Sequence, residues 1–411
     1  LYVWLPDAME GPSPVSALIH AATMVTAGVY MVVRCGEIFI ASPLAISVVG
    51  AVGAMTALYA ATIAVAQYDM KRILAYSTIS QLGYMFLGVG VLAADSAIFH
   101  LFTHAFFKAL LFLAAGSVMH AMGGVIDVRQ FSGLRGVLPW TYRTFVIGAL
   151  ALAGFPFFSG FFSKDEIIHA AFERHAVFGV MGLATALLTA FYTFRMVFLA
   201  FWGEKRVPEG VHPHESPPWM RVSLVLLAVG AVGAGYVGVT PGAGGFAGVL
   251  EPHGPFHHFL EPATESFHAA AAVDAVVEAG EPTAHQDHTM MYLSAIISIA
   301  GIVVAWYLYV RRRDLPRRVA ADLPELHALL HNKYYIDDWN DAVVVQPLWR
   351  SGRAAFAMDE YGVDGALGVI TLIPRGLGGL FRTLQDGLIQ GYGLTMTAGL
   401  LLLALVVLMM Q

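Results

Sequence analysis

The sequence has one cysteine, Cys35, and only 13% of its 411 residues are charged. A lone cysteine excludes a disulfide scaffold, a cysteine zinc site and a cysteine-ligated iron–sulfur cluster within this chain. Cys35 itself reads as an inert thiol. Ordinary soluble domains carry about 25% charged residues, so the low charge argues against that class. The net charge of −6 is small for the length and lends no support to nucleic-acid binding. There is no G-x-x-x-x-G-K-[ST] phosphate loop, no G-x-G-x-x-G dinucleotide fingerprint and no serine nucleophile elbow. The 42 glycines follow no G-x-y period and accompany only 19 prolines, which excludes collagen-like and disordered chains.

What the chain has in quantity is apolar residues, 57% of the total. They gather in runs of about 20, the length that crosses a bilayer core of roughly 30 Å. The reading is an all-α polytopic membrane protein with about nine crossings: 13–34, 45–66, 72–92, 97–121, an interrupted span at 140–172, 176–201, 222–240, 289–310 and 392–410. Basic residues test this count. With alternate crossings, one side receives Lys71, Arg72, Arg129, Arg135, Arg143, Lys205, Arg206, Arg221, Arg311, Arg312, Arg313, Arg317 and Arg318, and the other only Arg34 and Arg174. The first side is therefore expected to be cytoplasmic. The asymmetry holds only if 140–172 counts once.

Two stretches are not expected to cross. Residues 241–288 are rich in Gly, Pro, His and acids, lack Lys and Arg, and read as an outer loop. Its His253, His257, His258, His268, His285 and His288 match no metal-ligand spacing, so no metal site is expected there. Residues 314–391 interleave apolar side chains such as Leu348, Trp349, Phe356, Ile370 and Phe381 with Arg350, Arg353, Asp364, Arg375 and Arg382. That pattern suits an amphipathic helix lying along a surface, kinked or split at Pro347 and Pro374. It reads as an interfacial connector on its own bundle or as an arm along neighbouring subunits. The chain opens on Leu1 with an apolar turn, with no basic n-region or cleavage site, and the reading expects a portion upstream.

Ionisable residues at membrane depth are costly, so each is a functional candidate. His100, His104 and Lys108 are spaced by four and fall on one helical face. Three proton-binding groups in line can pass protons through intervening water, or can simply hold helices together. The 140–172 span is broken by Gly154, Pro156 and Gly160, and Lys164 follows directly, with Asp165 and Glu166 beside it. Broken helices in membranes line cavities. The two acids would neutralise Lys164 or end a route on the outer side. His20 sits among Ser16, Thr23 and Thr26, where a neutral core histidine is the plainer alternative. The run from Tyr76 to Tyr84 is unusually polar and would either hydrate a proton route or pack helices. Lys71-Arg72 reads as a topology signal, and Arg195 as a buried charge seeking an acid.

The strings Trp4-Leu5-Pro6-Asp7-Ala8-Met9-Glu10-Gly11-Pro12, Val15-Ser16-Ala17-Leu18-Ile19-His20-Ala21-Ala22-Thr23-Met24-Val25, Asp69-Met70-Lys71-Arg72-Ile73-Leu74-Ala75-Tyr76-Ser77-Thr78 and Gly160-Phe161-Phe162-Ser163-Lys164-Asp165-Glu166 closely resemble the antiporter-like subunits of respiratory complex I. The likeness is specific over residues 1 to about 200. Beyond them, a long lateral helix followed by one anchor span resembles the largest, distal member of that family.

The resemblance implies two inverted five-helix repeats, each with a broken helix. It divides the chain into 1–44, the end of the first repeat; 45–201, the second repeat; 202–310, further spans around the 241–288 loop; 311–391, the lateral helix; and 392–411, the anchor. It implies proton translocation driven by quinone reduction elsewhere, with His20, His100, His104 and Lys108 as the central relay and Lys164 with Asp165 at its outer end. It further implies a bacterial cytoplasmic membrane, neighbouring antiporter-like subunits as partners, and FMN, iron–sulfur clusters and quinone in partner subunits rather than in this chain. A subunit of a multisubunit sodium/proton antiporter, or a static membrane spacer, are the alternative readings.

Overall fold

The computed structural model describes residues 4–239, 254–279, 289–383, 385 and 387–410. Among these there are helices and two isolated bridges, Asp69 with Asp127 and Ser132 with Arg206, and no strand. The principal helices of the first part are α1 (Ser13–Ala21), α2 (Ala27–Arg34), α3 (Pro43–Ala66), α4 (Met70–Gly90), α5 (Ala94–Ala121), α6 (Pro139–Ala153), α7 (Ser159–Arg174), α8 (Ala176–Phe201), α9 (Pro218–Gly233), α10 (Pro255–Ala279) and α11 (Thr289–Trp306).

Local chemistry sets their ends. Ser42 accepts from the Ala45 amide at 3.3 Å, and Pro43 occupies the first turn, where its missing N–H costs nothing. Asp69 accepts from the Arg72 amide at 2.9 Å and starts α4. Gly154, at φ +74°, ends α6 with a left-handed turn in which Phe155 N donates to Leu150 O at 3.0 Å.

Seven helices among the described residues are long and apolar enough to cross a membrane, including Pro43–Ala66, Ala94–Ala121, Ala176–Phe201 and Ile389–Met409. The protein is an all-helical, multi-pass membrane protein. Three of the expected spans are absent from those seven, for one shared reason: they carry the polar groups or the breaks. The 72–92 span is α4, with its run of hydroxyls. The 140–172 span is the pair α6 and α7, separated at 154–158 as the glycines and proline predicted. The 13–34 span is also broken, into α1 and α2 at 22–26, a break that the sequence reading did not mark. The 241–288 stretch differs too: α10 forms within it. His253, His285 and His288 lie outside the described residues.

Close packing of α3 on α4 brackets the polar interior. Gly50 lies against Gly90, Gly83 against Ala57, and a Cβ on Gly53 would come within 2.5 Å of the Leu87 amide nitrogen. Small residues allow this approach where the lipid offers no hydrophobic drive between helices. Ser80 on α4 adds a hydrogen bond to Ala57 O at 2.9 Å. Lys71, expected as a solvated topology signal, is instead 4% exposed and donates to the carbonyls of Met9 at 3.3 Å and Gly11 at 3.1 Å. Arg195 is likewise buried. It donates to Gln67 O at 2.7 Å and to the Tyr309 hydroxyl at 3.1 Å, and its guanidinium lies 4.9 Å from the centre of the Tyr68 ring.

The chain forms two compact units, Leu1–Tyr334 and Tyr335–Gln411. In the second, helices α12 (Gln346–Ala357) and α13 (Gly365–Arg382) are joined through a wider helical turn at Met358–Asp364, and α14 (Ile389–Met409) follows. Pro347 falls in the first turn of α12 and Pro374 lies inside α13. On α13, Thr371, Arg375 and Arg382 share one face, while Ile370, Leu377 and Phe381 share another. Those three apolar side chains are exposed.

Gly53→Val is expected to push α3 from α4 and to destabilise the protein by about 1–3 kcal/mol. Gly352→Ala, which meets nothing within 4 Å, is expected to be neutral. Thermal unfolding of the two variants in detergent checks this; equal midpoints would show that the α3–α4 contact is not close-packed.

Candidate functional site

The site is built on α5, which lies against α1, α4, α6, α7 and α9. Its four-residue spacing puts His100, His104 and Lys108 on one face, and all three are fully buried. Each meets a different helix. Lys108 Nζ donates to Ser77 Oγ on α4 at 2.6 Å. His104 Nδ1 lies 3.0 Å from Ala21 O, at the end of α1; a carbonyl only accepts, so that nitrogen carries the proton in the neutral ring. The other nitrogen, Nε2, is buried without a hydrogen-bond partner among the described residues. His100 sits between α4 and α7, with Nε2 3.2 Å from Gln81 Oε1 and Nδ1 2.8 Å from Ser163 Oγ. Ser163 in turn meets Thr103 Oγ1 at 2.8 Å.

Lys164 lies on α7, in the second turn past the break, and is 3% exposed. Its ammonium donates at 2.8 Å to Leu152 O, near the end of α6, and lies 5.4 Å from the centre of the Tyr84 ring. The break makes this possible: carbonyls at the end of a helix have no amide further along to bond them. The negative end of the α6 dipole also suits a cation. Tyr84 contacts the other side of the site as well, its ring 6.4 Å from that of His100.

The structure thus brings His100, His104, Lys108 and Lys164 into one buried region. His20 joins them from α1, its ring tilted against that of Phe112 with the centroids 4.8 Å apart. Neither of its ring nitrogens has a hydrogen-bond partner among the described residues, so it is not the hydrogen-bonded core histidine that was its plainer reading. Buried polar atoms in such numbers, with Ser16, Ser117, Tyr192 and Thr193 adding unpartnered oxygens, are the surroundings in which internal water is held. The carboxylates beside Lys164 turn elsewhere. Asp165 Oδ1 accepts from Ser294 on α11 at 2.5 Å, and Glu166 Oε1 lies 3.5 Å from His257 Nε2 on α10.

The polar run of α4 divides between contacts to the buried lysines and histidine and helix packing. Ser77, Gln81 and Tyr84 share one face and meet Lys108, His100 and Lys164, whereas Ser80 ties α4 to α3. Ser163, Thr103 and Asp95 were not singled out by the sequence, and His257 was named only among the loop histidines weighed for a metal. Ser163 and Thr103 had a visible signal, a hydroxyl at helical spacing from a candidate, but His257 is far from its partners in the chain.

His257 lies outside the spans. Burial disfavours its charge, but the hydrogen bonds and charges of Asp95 and Glu166 outweigh that and raise its pKa to about 10. A raised folded pKa contributes stability that is fully present below the ordinary value near 6.5 and is lost as the pH rises through about 10. His257→Gln is therefore expected to lower the thermal midpoint at neutral pH, and the gap to the parent should close above about pH 10. Melting curves across that range test it; a gap independent of pH would show that His257 is not held as a cation.

Residues 1–189 match the family described as NADH:quinone oxidoreductase/Mrp antiporter, TM. The chain is 41% identical over 425 residues to the NAD(P)H-quinone oxidoreductase chain 5 of Picosynechococcus sp., covering 96% of this chain and 61% of that one. It is 41% identical to the NADH-quinone oxidoreductase subunit L of Mycobacterium tuberculosis, covering all of this chain and 62% of that one. The corresponding subunit of Neisseria meningitidis serogroup B is 40% identical, with 98% and 62% covered. The chain therefore spans about three fifths of the length of the curated relatives it matches. Among solved structures, the Mrp complex from Dietzia sp. DQ12-45-1b is similar with a TM-score of 0.60 and 26% identity, over 92% of this chain and 38% of that one. Buried lysines and histidines set between two broken helices thus accompany a match of residues 1–189 to the family described as NADH:quinone oxidoreductase/Mrp antiporter, TM, and a likeness of nearly the whole chain to about three fifths of its curated relatives.

Proposed function

We propose that this chain is a proton-translocating membrane subunit of an NADH:quinone oxidoreductase in a bacterial cytoplasmic membrane. The observation that carries the reading is the buried lysine pair, Lys108 and Lys164, each donating to a neutral oxygen, with His100 and Tyr84 between them. An ammonium bonded to neutral acceptors can lose its proton and leave no ion pair broken. In this reading His20, His104 and Lys108 take up protons delivered through water from the cytoplasmic side. Lys108 passes them by way of His100 toward Lys164, and Asp165 and Glu166 lie at the outer end. Lifting one charge against 100 mV requires about 2.3 kcal/mol, so the work comes from outside this chain. Quinone reduction in partner subunits, which would hold the FMN, iron–sulfur clusters and quinone, supplies it. The domain boundaries implied by the resemblance belong to the same proposal. So does the role of the 311–391 arm, whose exposed apolar side chains suit a clamp on neighbouring antiporter-like subunits.

A second reading is sodium/proton exchange, favoured by the likeness in fold to the Mrp complex. Both readings use the same buried groups.

In the full-length protein within its assembled complex, Lys108→Met and Lys164→Ala are each expected to lower proton uptake into inverted vesicles about tenfold or more, with NADH oxidation falling alongside. Unchanged rates and an unchanged proton-to-electron ratio would leave the lysines as helix glue. Replacing sodium by choline is expected to leave proton uptake unchanged; sodium-dependent transport would favour the exchanger.

A further inference from the structure

The polar stripe of α5 does not end at His100. Continuing the spacing of four from Lys108, His104 and His100 gives Ser96, next to Asp95 in the first turn of the helix. On α7, Ser163 and Glu166 are three residues apart and face the same side. The two stripes converge on His257 of α10. Its Nδ1 is 3.2 Å from Asp95 Oδ2 and its Nε2 is 3.5 Å from Glu166 Oε1, while His268 Nε2 is 3.7 Å from the same Asp95 oxygen. His257, Glu166 and Asp95 are 7%, 14% and 17% exposed at their side chains. Glu166 Oε2 is buried without a hydrogen-bond partner among the described residues.

Apolar and backbone groups also pack around this cluster among the described residues. The Phe99 ring lies 5.4 Å from that of His257, Phe267 packs with Val29 and Val33, and Gly254 N bonds to Gly238 O at 3.0 Å. Among the described residues, Asp95 and Glu166 are titratable groups that face His257, and His268 also reaches Asp95.

We infer that Glu166, His257 and Asp95 form a second proton-accepting terminus of the buried stripe, separate from Lys164, with Glu166 as the acceptor and His257 as a positioning residue. The inference rests on the proposed reading that the stripe carries protons. Counting these three side chains, two carboxylates and one imidazolium leave one negative charge, which a single proton neutralises. The O–H bond forms at Glu166 Oε2 as an N–H bond of a protonated His100 breaks. The Ser163 hydroxyl beside His100 takes one proton and gives up its own, and water spans the remaining helical turn of about 5 Å. The proton then leaves by O–H cleavage to outer water, and the carboxylate is restored. His257 holds the carboxylates apart from direct repulsion, so that the cluster accepts one proton rather than two.

The test uses the full-length protein in its assembled complex, in inverted vesicles, with proton uptake per NADH oxidised followed from about pH 6 to 9. Glu166→Gln is expected to lower translocation about tenfold or more with assembly retained. His257→Gln is expected to move the pH of half-maximal translocation upward by about 1–3 units, and His257→Lys to bring it back. Variants that lower only the amount of assembled complex, with the pH profile unmoved, would make the cluster a structural clasp and overturn the inference. If Glu166→Gln does not assemble, Glu166→Asp replaces it, and full translocation with an unmoved profile overturns the inference equally. Lys108→Met separates the two levels. If it abolishes translocation while Glu166→Gln does not, only the second terminus fails; if it changes nothing, the proton route itself fails.

Discussion

An ammonium or imidazole group taken out of water must find acceptors inside the protein, and this requirement organises the bundle. Lys108 and Lys164 are both buried, and the fold supplies each with one neutral oxygen, Ser77 Oγ and Leu152 O. Placing a charge at membrane depth costs several kcal/mol or more, so these oxygens have to be delivered by helices already in place. The close approach of α3 and α4 at Gly50, Gly53, Gly83 and Gly90 holds the polar face of α4 against α5. Hydroxyls that would be a liability on a lipid-facing helix there become the lining of a buried site.

The two broken helices fill a common role on either side of α5. At the end of α1, Ala21 O receives the His104 ring N–H; near the end of α6, Leu152 O receives Lys164. In both cases a helix stops inside the bundle and its last carbonyls, carrying the negative end of the dipole, are satisfied by a proton-bearing side chain rather than by the next turn. The break is thus a source of acceptors for a buried N–H donor.

Under the proposed function, proton translocation in a quinone oxidoreductase and sodium/proton exchange would place the same demands on such a site. The difference has to lie in what drives the site. The amphipathic α13, with exposed Leu367, Ile370, Leu377 and Phe381, belongs to the second compact unit, Tyr335–Gln411, whereas the buried lysines and histidines belong to the first.

Hydrophobic runs and their period sufficed to read the helical class, the ends of α8 and the break between α6 and α7, because bilayer thickness, helix spacing and Gly-Pro punctuation act locally along the chain. The line of His100, His104 and Lys108 was legible for the same reason. The break at 22–26 was not, since it has no proline to mark it, and α10 was hidden in a stretch whose composition reads as loop. Which partner each group meets was decided only by the tertiary structure. Lys164 meets a carbonyl twelve residues back across a break, Lys71 the carbonyls of Met9 and Gly11, and His257 two carboxylates from helices far away in the chain. Sequence spacing determines which side chains share a face, but the packing of separate helices determines what that face touches, and for a charge removed from water that contact decides its chemistry.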